Sequence, residues 1–382
     1  KVKAGVPLLL SAYVEPAPVG VVGIITPWNY PLALTMMDVI PALMAGNAVV
    51  QKADNQTSKT VAFARGLAIH AGVPEAIWQV VQGDAAEVGN AVTDNADYVA
   101  FTGSTPTGRI VAERAAKRLI GYSLELGGKN PMIVLPGANL EQAAEIALGA
   151  AFGNAGQLCV SVERLYVPNH ALAAFETVLK RRIESMTVGS SDSYSHDVGS
   201  LTSKAQTDRV SGFVDRAVAE GATVLTGGKR LENLGPNFYA PTVLTAIPKT
   251  AEILTKEVFG PVIALVGYDS LDEAVELANA TEFGLNASVV GDRSKALEVA
   301  SRLMAGSVNI NEGYRASMAS MAAPMGGMKQ SGMGRRSGPQ GLLRFTEQRT
   351  IGVANRLPIG LPIRAKEYKK MAPLMTKLAK WL

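Results

Sequence analysis

Rhythm constrains this chain more than any other feature. From Val19 to Val134, short apolar, β-rich runs (21–26, 48–51, 77–82 and 98–102) alternate with stretches of helical period (32–44, 57–71 and 106–119). Such alternation predicts βαβ units, and hence a largely parallel sheet that takes its ligand at the carboxyl ends of the strands. A second series follows, with helices expected at 140–152, 172–185, 204–220, 271–279 and 294–304 and strands at 164–167 and 287–290. The fold class is therefore α/β. Gly127-Gly128 punctuates the passage between the two series, and the Gly-, Ser- and Met-rich stretch 316–338 reads as a long loop.

At 382 residues the chain has room for two or three domains with a deep pocket between them. Hydrophobic residues at 47% against 18% charged exclude a disordered chain. The net charge of +4 is scattered, which argues against a nucleic-acid partner. No apolar run reaches the roughly 20 residues that span a bilayer, and Lys1-Val2-Lys3 does not open a secretory signal, so a cytoplasmic protein is expected. One cysteine excludes an internal disulfide, and His70, His170 and His196 have no metal-ligand spacing, so no metal is expected. The buried-strand run begins soon after a first residue that is not methionine, which suggests that an N-terminal segment is missing.

Five places could carry chemistry. Cys159 follows Gly153 and Gly156 just after an expected helix; it is either a small core residue or a thiol made accessible by the glycine-rich break. Glu125 sits between two leucines and before two glycines, where burial would raise its pKa into the range of a useful base, unless it is a salt-bridged surface residue. FTGSTPTG at 101–108 ends a strand and opens a helix, so its backbone N–H groups could face an anion or simply form an ordinary turn. Lys52, at a strand end, could reach a phosphate or ribose, or be merely solvated. Asn29, between two prolines, could present an amide N–H to an oxyanion or serve as a turn residue.

Taken together and in order, PWNYP (27–31), VVQK (49–52), FTGS (101–104), ELGGK (125–129), GQLC (156–159), EVFGP (257–261) and PMGGMKQSG (324–332) resemble the aldehyde dehydrogenase superfamily over about Val19 to Glu347. The resemblance implies a Rossmann-like cofactor domain (19–127, incomplete at its N-terminal side), an α/β catalytic domain (128–335), a remnant of an oligomerisation hairpin (1–18) and a C-terminal oligomerisation segment with a tail (336–382). It implies that Cys159 attacks an aldehyde, that Asn29 and the Cys159 backbone N–H hold the oxyanion, and that Glu125 activates water against a thioester. It implies cofactor contacts at Trp28, Asn29, Lys52, Asn55, Gly103, Ser104, Leu126, Glu257 and Phe259, and a homodimer or homotetramer. Where the family carries an acidic ribose ligand this chain has Asn55, which repels a 2′-phosphate less, so NADP is expected, with NAD possible.

The wording around GQLC and PMGGMK looks most like NADP-type succinate-semialdehyde dehydrogenases. Met37 and Gly153, however, stand where another branch of succinate-semialdehyde enzymes places carboxylate-binding arginines, so a medium-chain or aromatic aldehyde is the alternative substrate. The rival classes are a non-catalytic binding protein on the same fold and a cysteine hydrolase; the latter lacks a histidine in any motif. The tail from Leu361 to Leu382 is basic and amphipathic, and reads as a helix started by Pro373 that packs on its own protein or a neighbouring subunit, or else docks on a membrane surface.

Overall fold

The computed structural model of the chain describes residues 10–354 and 364–380. Lys1-Val2-Lys3, residues 361–363, Trp381 and Leu382, all used in the sequence reading, lie outside the described residues. The first βα series runs β1 (Leu10–Pro18), β2 (Val21–Thr26), α1 (Pro31–Met44), β3 (Ala48–Ala53), α2 (Ser58–His70), β4 (Trp78–Val81), α3 (Ala85–Asn95), β5 (Tyr98–Thr102), α4 (Thr105–Lys117) and β6 (Gly121–Glu125). Strands β2 to β6 are parallel, and Val22, Ile24, Val49 and Val99 are wholly buried, as a sheet covered on both faces requires. In space the order is Gly332–Met333, β6, β5, β2, β3, β4. The chain therefore leaves β2 toward β3 and β4, then returns to place β5 on the other side of β2. This reversal opens a crevice at the carboxyl ends of β2 and β5.

Helix α3 was not anticipated. Gly89 and the β-branched Val88, Val92 and Thr93 blur its period, although Asp84 caps it by accepting the Ala86 and Glu87 N–H groups at 2.8 and 3.0 Å.

The second series begins with β7 (Asn130–Val134), α5 (Leu140–Phe152) and β8 (Val162–Pro168). Its seven-stranded sheet runs Ser307–Ile310, Asn286–Val290, β7, β8, Val262–Tyr268, Thr242–Thr245, Thr223–Thr226, with the last strand antiparallel to its neighbour. Ala143, Ala144, Ala147, Ala150 and Ala151 give α5 a smooth face that packs with Met132, Val134, Leu165 and Val167. The expected helices are observed as Asn169–Glu184, Lys204–Ala219, Leu271–Asn279 and Arg293–Ala300.

Two expectations are corrected. The stretch 316–338 is not one long loop: it contains the short strands Met328–Lys329 and Gly332–Met333, and Gly332 pairs with Glu125 on the open edge of β6. A Cβ on Gly332 would lie 2.1 Å from the Leu124 carbonyl oxygen, so the glycine is what permits the approach. The C-terminal helix is Ala365–Ala379, with Pro373 inside it rather than at its start. The good helix formers from Ala365 to Met371 carry the helix past the proline, whose cost is about 3 kcal/mol. Strand β1 pairs antiparallel with Thr346–Ala354, from Leu10 opposite Ala354 to Pro18 opposite Thr346.

Candidate active site

A cavity of about 280 Å³ opens at the crevice. Pro27, Trp28 and Asn29 reach it from the end of β2, Thr102, Gly103 and Ser104 from the end of β5, and Glu125, Leu126 and Gly127 from the end of β6. Cys159, Gln206, Arg209, Glu257 and Phe259 close it from the second series.

Cys159 follows a turn in which Asn154, Ala155 and Gly156 are all left-handed, at φ 53°, 54° and 72°. A Cβ on Gly156 would lie 2.2 Å from the Gly260 carbonyl oxygen, so this turn and the 257–261 segment can meet only with glycine there. Side-chain amides brace the turn. Asn154 Nδ2 donates to the Asn29 carbonyl at 3.2 Å, Asn29 Nδ2 donates to the Gln157 carbonyl at 3.0 Å, and Gln157 Oε1 accepts the Thr202 N–H at 2.8 Å. From beneath, Asn130 Nδ2 donates to the carbonyls of Cys159 and Ser161, both at 2.7 Å. Asn29 thus spends one amide N–H on Gln157 and keeps a second. Burial pushes the Cys159 thiol up to about 12, with Glu257 and Glu125 adding to the effect and Arg336 and the residue's own N–H opposing it.

Glu125 is 5% exposed, and neither of its carboxyl oxygens has a hydrogen-bond partner. Burial pushes it up to about 7, although Arg336 and Arg344 favour its ionised form. Those arginines belong to a buried cluster. Arg336 Nε and Nη2 grip Asp38 at 2.8 and 2.5 Å, Arg344 reaches the same carboxylate, and Arg336 also donates to Thr102. Burial alone would raise Asp38, yet the two guanidiniums hold its carboxyl below the usual range.

Glu257 and Phe259 are held by a second buried cluster. Glu163 accepts the N–H groups of Val258 and Phe259 at 2.9 and 2.8 Å while pairing with Lys129 at 2.5 Å, and Arg164 Nε and Nη2 donate to the Lys129 carbonyl at 2.9 and 2.6 Å. Phe259 sits at φ 58° and meets Trp28 edge-on, ring centres 5.6 Å apart. A non-glycine residue in that conformation persists only where its surroundings hold it. Glu257 accepts the Gly128 N–H at 2.9 Å, and burial together with Glu163 pushes it up to about 7.

Of the residues singled out from sequence, Trp28, Asn29, Gly103, Ser104, Glu125, Leu126, Cys159, Glu257 and Phe259 line this one cavity. Lys52 and Asn55 do not. They lie at the carboxyl end of β3 and just beyond it, with Lys52 buried and Asn55 Oδ1 accepting the Gly83 N–H at 3.4 Å. Sequence reading missed Asp38, Arg336, Arg344, Asn130 and Glu163. Beside Cys159, a separate apolar cluster gathers Tyr30, Met37, Leu158, Tyr314, Met318 and Met325. A Cβ on Gly153 would stand 3.0 Å from the Tyr314 hydroxyl, so the missing side chain leaves that space to the phenol.

Residues 9–351 match the model of the aldehyde dehydrogenase family. A protein of Mycobacterium tuberculosis named "Putative succinate-semialdehyde dehydrogenase" of the NADP(+) type is 48% identical over 368 residues, which are 95% of this chain and 71% of that protein. A like-named protein of Mycolicibacterium smegmatis is 46% identical over 384 residues, covering all of this chain and 74% of the relative. Among solved structures, betaine aldehyde dehydrogenase from Staphylococcus aureus in complex with NAD+ superposes with a TM-score of 0.90 at 34% identity, over 95% of this chain and 73% of that one. An aldehyde dehydrogenase from Bacillus cereus gives 0.88 at 35% identity, over 92% and 71%.

Proposed function

The chain belongs to the aldehyde dehydrogenase family, and on that premise we propose that it oxidises an aldehyde to a carboxylic acid with NADP, and with NAD as a second cofactor, using Cys159 as nucleophile and Glu125 as base. The observation that carries the reading is the meeting, in one cavity, of a thiol, an amide and a buried carboxylate with both oxygens unpartnered.

The cavity's features suit a nicotinamide dinucleotide. Trp28 and Phe259 form an aromatic wall, Glu257 offers a carboxylate to ribose hydroxyls, and Gly103-Ser104 stands at the start of α4, where backbone N–H groups attract a pyrophosphate. Lys52 and Asn55 would serve the far ribose and its 2′-phosphate.

Cys159 Sγ attacks the carbonyl carbon as its proton passes to Glu125, whose proton affinity matches neutral pH. The second N–H of the Asn29 amide and the Cys159 backbone N–H meet the resulting oxyanion. When bound, the cofactor supplies the hydride acceptor that turns this thiohemiacetal into a thioester. Once Glu125 has released the thiol proton to solvent, it takes a proton from water as the water attacks the thioester carbonyl; the C–S bond breaks, that proton passes to the departing thiolate, and the acid leaves with Cys159 restored.

Rapid mixing with aldehyde and cofactor tests the assignment. Cys159→Ala should give neither burst nor turnover, while Glu125→Gln, whose thiol must lose its proton to solvent, should keep a slower burst of reduced cofactor and lose about 10²- to 10⁴-fold in steady turnover. Full turnover in Glu125→Gln, or cofactor reduction in Cys159→Ala, would overturn it.

The relatives' names support succinate semialdehyde as substrate. The apolar cluster of Tyr30, Met37, Tyr314 and Met318 beside Cys159 favours a medium-chain or aromatic aldehyde instead, because the neighbouring cation Arg315 is already paired with Glu312 at 3.1 Å. Comparing kcat/KM for succinate semialdehyde, octanal and benzaldehyde decides between them. Residues 19–127 form the cofactor unit in this reading and 128–335 the catalytic unit. The ribbon of β1 with Thr346–Ala354 serves assembly of a homodimer or homotetramer in the cytoplasm. Among the described residues, no helix is long and apolar enough to cross a membrane.

A further inference from the structure

The family match ends at residue 351, and the helix Ala365–Ala379 lies beyond it. At about 100° per residue, Lys366, Lys369, Lys370 and Lys377 fall on one side of this helix, with Lys380 just past its end, and Tyr368, Met371, Ala372 and Met375 fall on the other, with Leu374 at the margin. Pro373 sits on the basic side. The apolar side is only partly covered: Met371 and Ala372 are half-buried, but Tyr368 is 54% exposed and Met375 40%, and Leu374 at the margin is 60% exposed.

Charge decides what such a face would meet. Residues 364–380 hold six basic side chains and one acidic one, Glu367, while the rest of the chain holds 31 basic against 32 acidic. The positive excess, expected from sequence to be scattered, is thus gathered in this short segment, and a second copy of a nearly neutral body offers it no strong complement. We propose that Ala365–Ala379 lies flat on an anionic lipid surface, its apolar side sunk among the acyl chains and its lysines at the phosphate level, and holds the protein at the membrane without crossing it. A basic face opposed to an apolar one, at low overall hydrophobicity, is the pattern of helices that bind in this way. Each lysine near such a surface adds about 1 kcal/mol, roughly a fivefold change in partitioning.

Flotation of the full chain with vesicles tests this. The protein should rise with vesicles containing phosphatidylglycerol, stay behind with phosphatidylcholine alone, and be released by high salt. Lys369→Gln with Lys370→Gln should weaken the partitioning roughly 30-fold. Leu374→Asp with Met375→Asp should abolish it, while kcat/KM for a water-soluble aldehyde stays at the wild-type value and so reports that the variants are folded. Equal binding to both lipids, or none to either, overturns the proposal on the wild type alone. So does a variant pair that splits the oligomer in light scattering while the wild type ignores vesicles, since the apolar side would then cover a neighbouring copy.

Discussion

Replacing Glu125 by glutamine should change the pH dependence of folding stability as well as catalysis. An ordinary glutamate titrates near 4.5, whereas burial without hydrogen-bond partners pushes Glu125 up to about 7. A tenfold difference in proton affinity is worth about 1.4 kcal/mol, so ionising this carboxyl in the folded protein costs about 3 kcal/mol more than in the unfolded chain. The sign follows from linkage. A group with a raised pKa in the folded state leaves stability intact below the unfolded value near 4.5; stability then falls as pH rises and levels off above about 7. The amide introduced by Glu125→Gln cannot ionise and carries no such penalty. The stability of wild type minus that of Glu125→Gln should therefore fall by about 2 to 3 kcal/mol between pH 5 and pH 8, whatever fixed cost the new amide adds. Parallel urea unfolding of both proteins across that range measures it. A difference that does not vary with pH, or one that rises, would show that Glu125 is ionised or solvated in the folded state and would remove the basis for its role as a base near neutrality.

Asn55→Glu should shift cofactor preference from NADP toward NAD, because a carboxylate near Lys52 repels a 2′-phosphate; kcat/KM for the two cofactors measures the shift, and unchanged preference would count against Asn55 as the discriminating position. Asp38→Asn should cost about 3 to 5 kcal/mol, since it leaves Arg336 and Arg344 buried without their carboxylate. Calorimetry or urea unfolding reads that loss, and a variant as stable as wild type would show that water or another group replaces Asp38.

The strands and helices around the site could be read from local pattern because each is written in neighbouring residues. Val21 to Thr26 is apolar throughout, and Gly153 and Gly156 announce a break before Cys159. The motifs joined Asn29, Glu125, Cys159, Glu257 and Phe259 only through family resemblance; nothing in their spacing says that they face one cavity. Asp38 was invisible because it lies inside a helix otherwise read as apolar, and its partner Arg336 stands 298 positions away in a stretch without period. Glu163 was overlooked for a similar reason, as its carboxylate works on the backbone of a segment about 95 residues downstream. A sequence window records what a residue resembles, whereas these two act through what lies across the molecule.

The junction of early and late segments also has consequences during synthesis. Asn47 donates to the Phe345 carbonyl, Asp38 waits for Arg336 and Arg344, and β6 is flanked by Gly332–Met333. A ribosome adding about 5 to 20 residues per second needs on the order of half a minute to travel from the first of these strands to the last of their partners. Through the later part of that interval the emerging chain carries Cys159 but not yet Arg336 and Arg344, which pair with Asp38. Nucleophile and base thus become a working pair only when translation is nearly over, so a polypeptide abandoned partway on the ribosome would have a thiol but no catalyst.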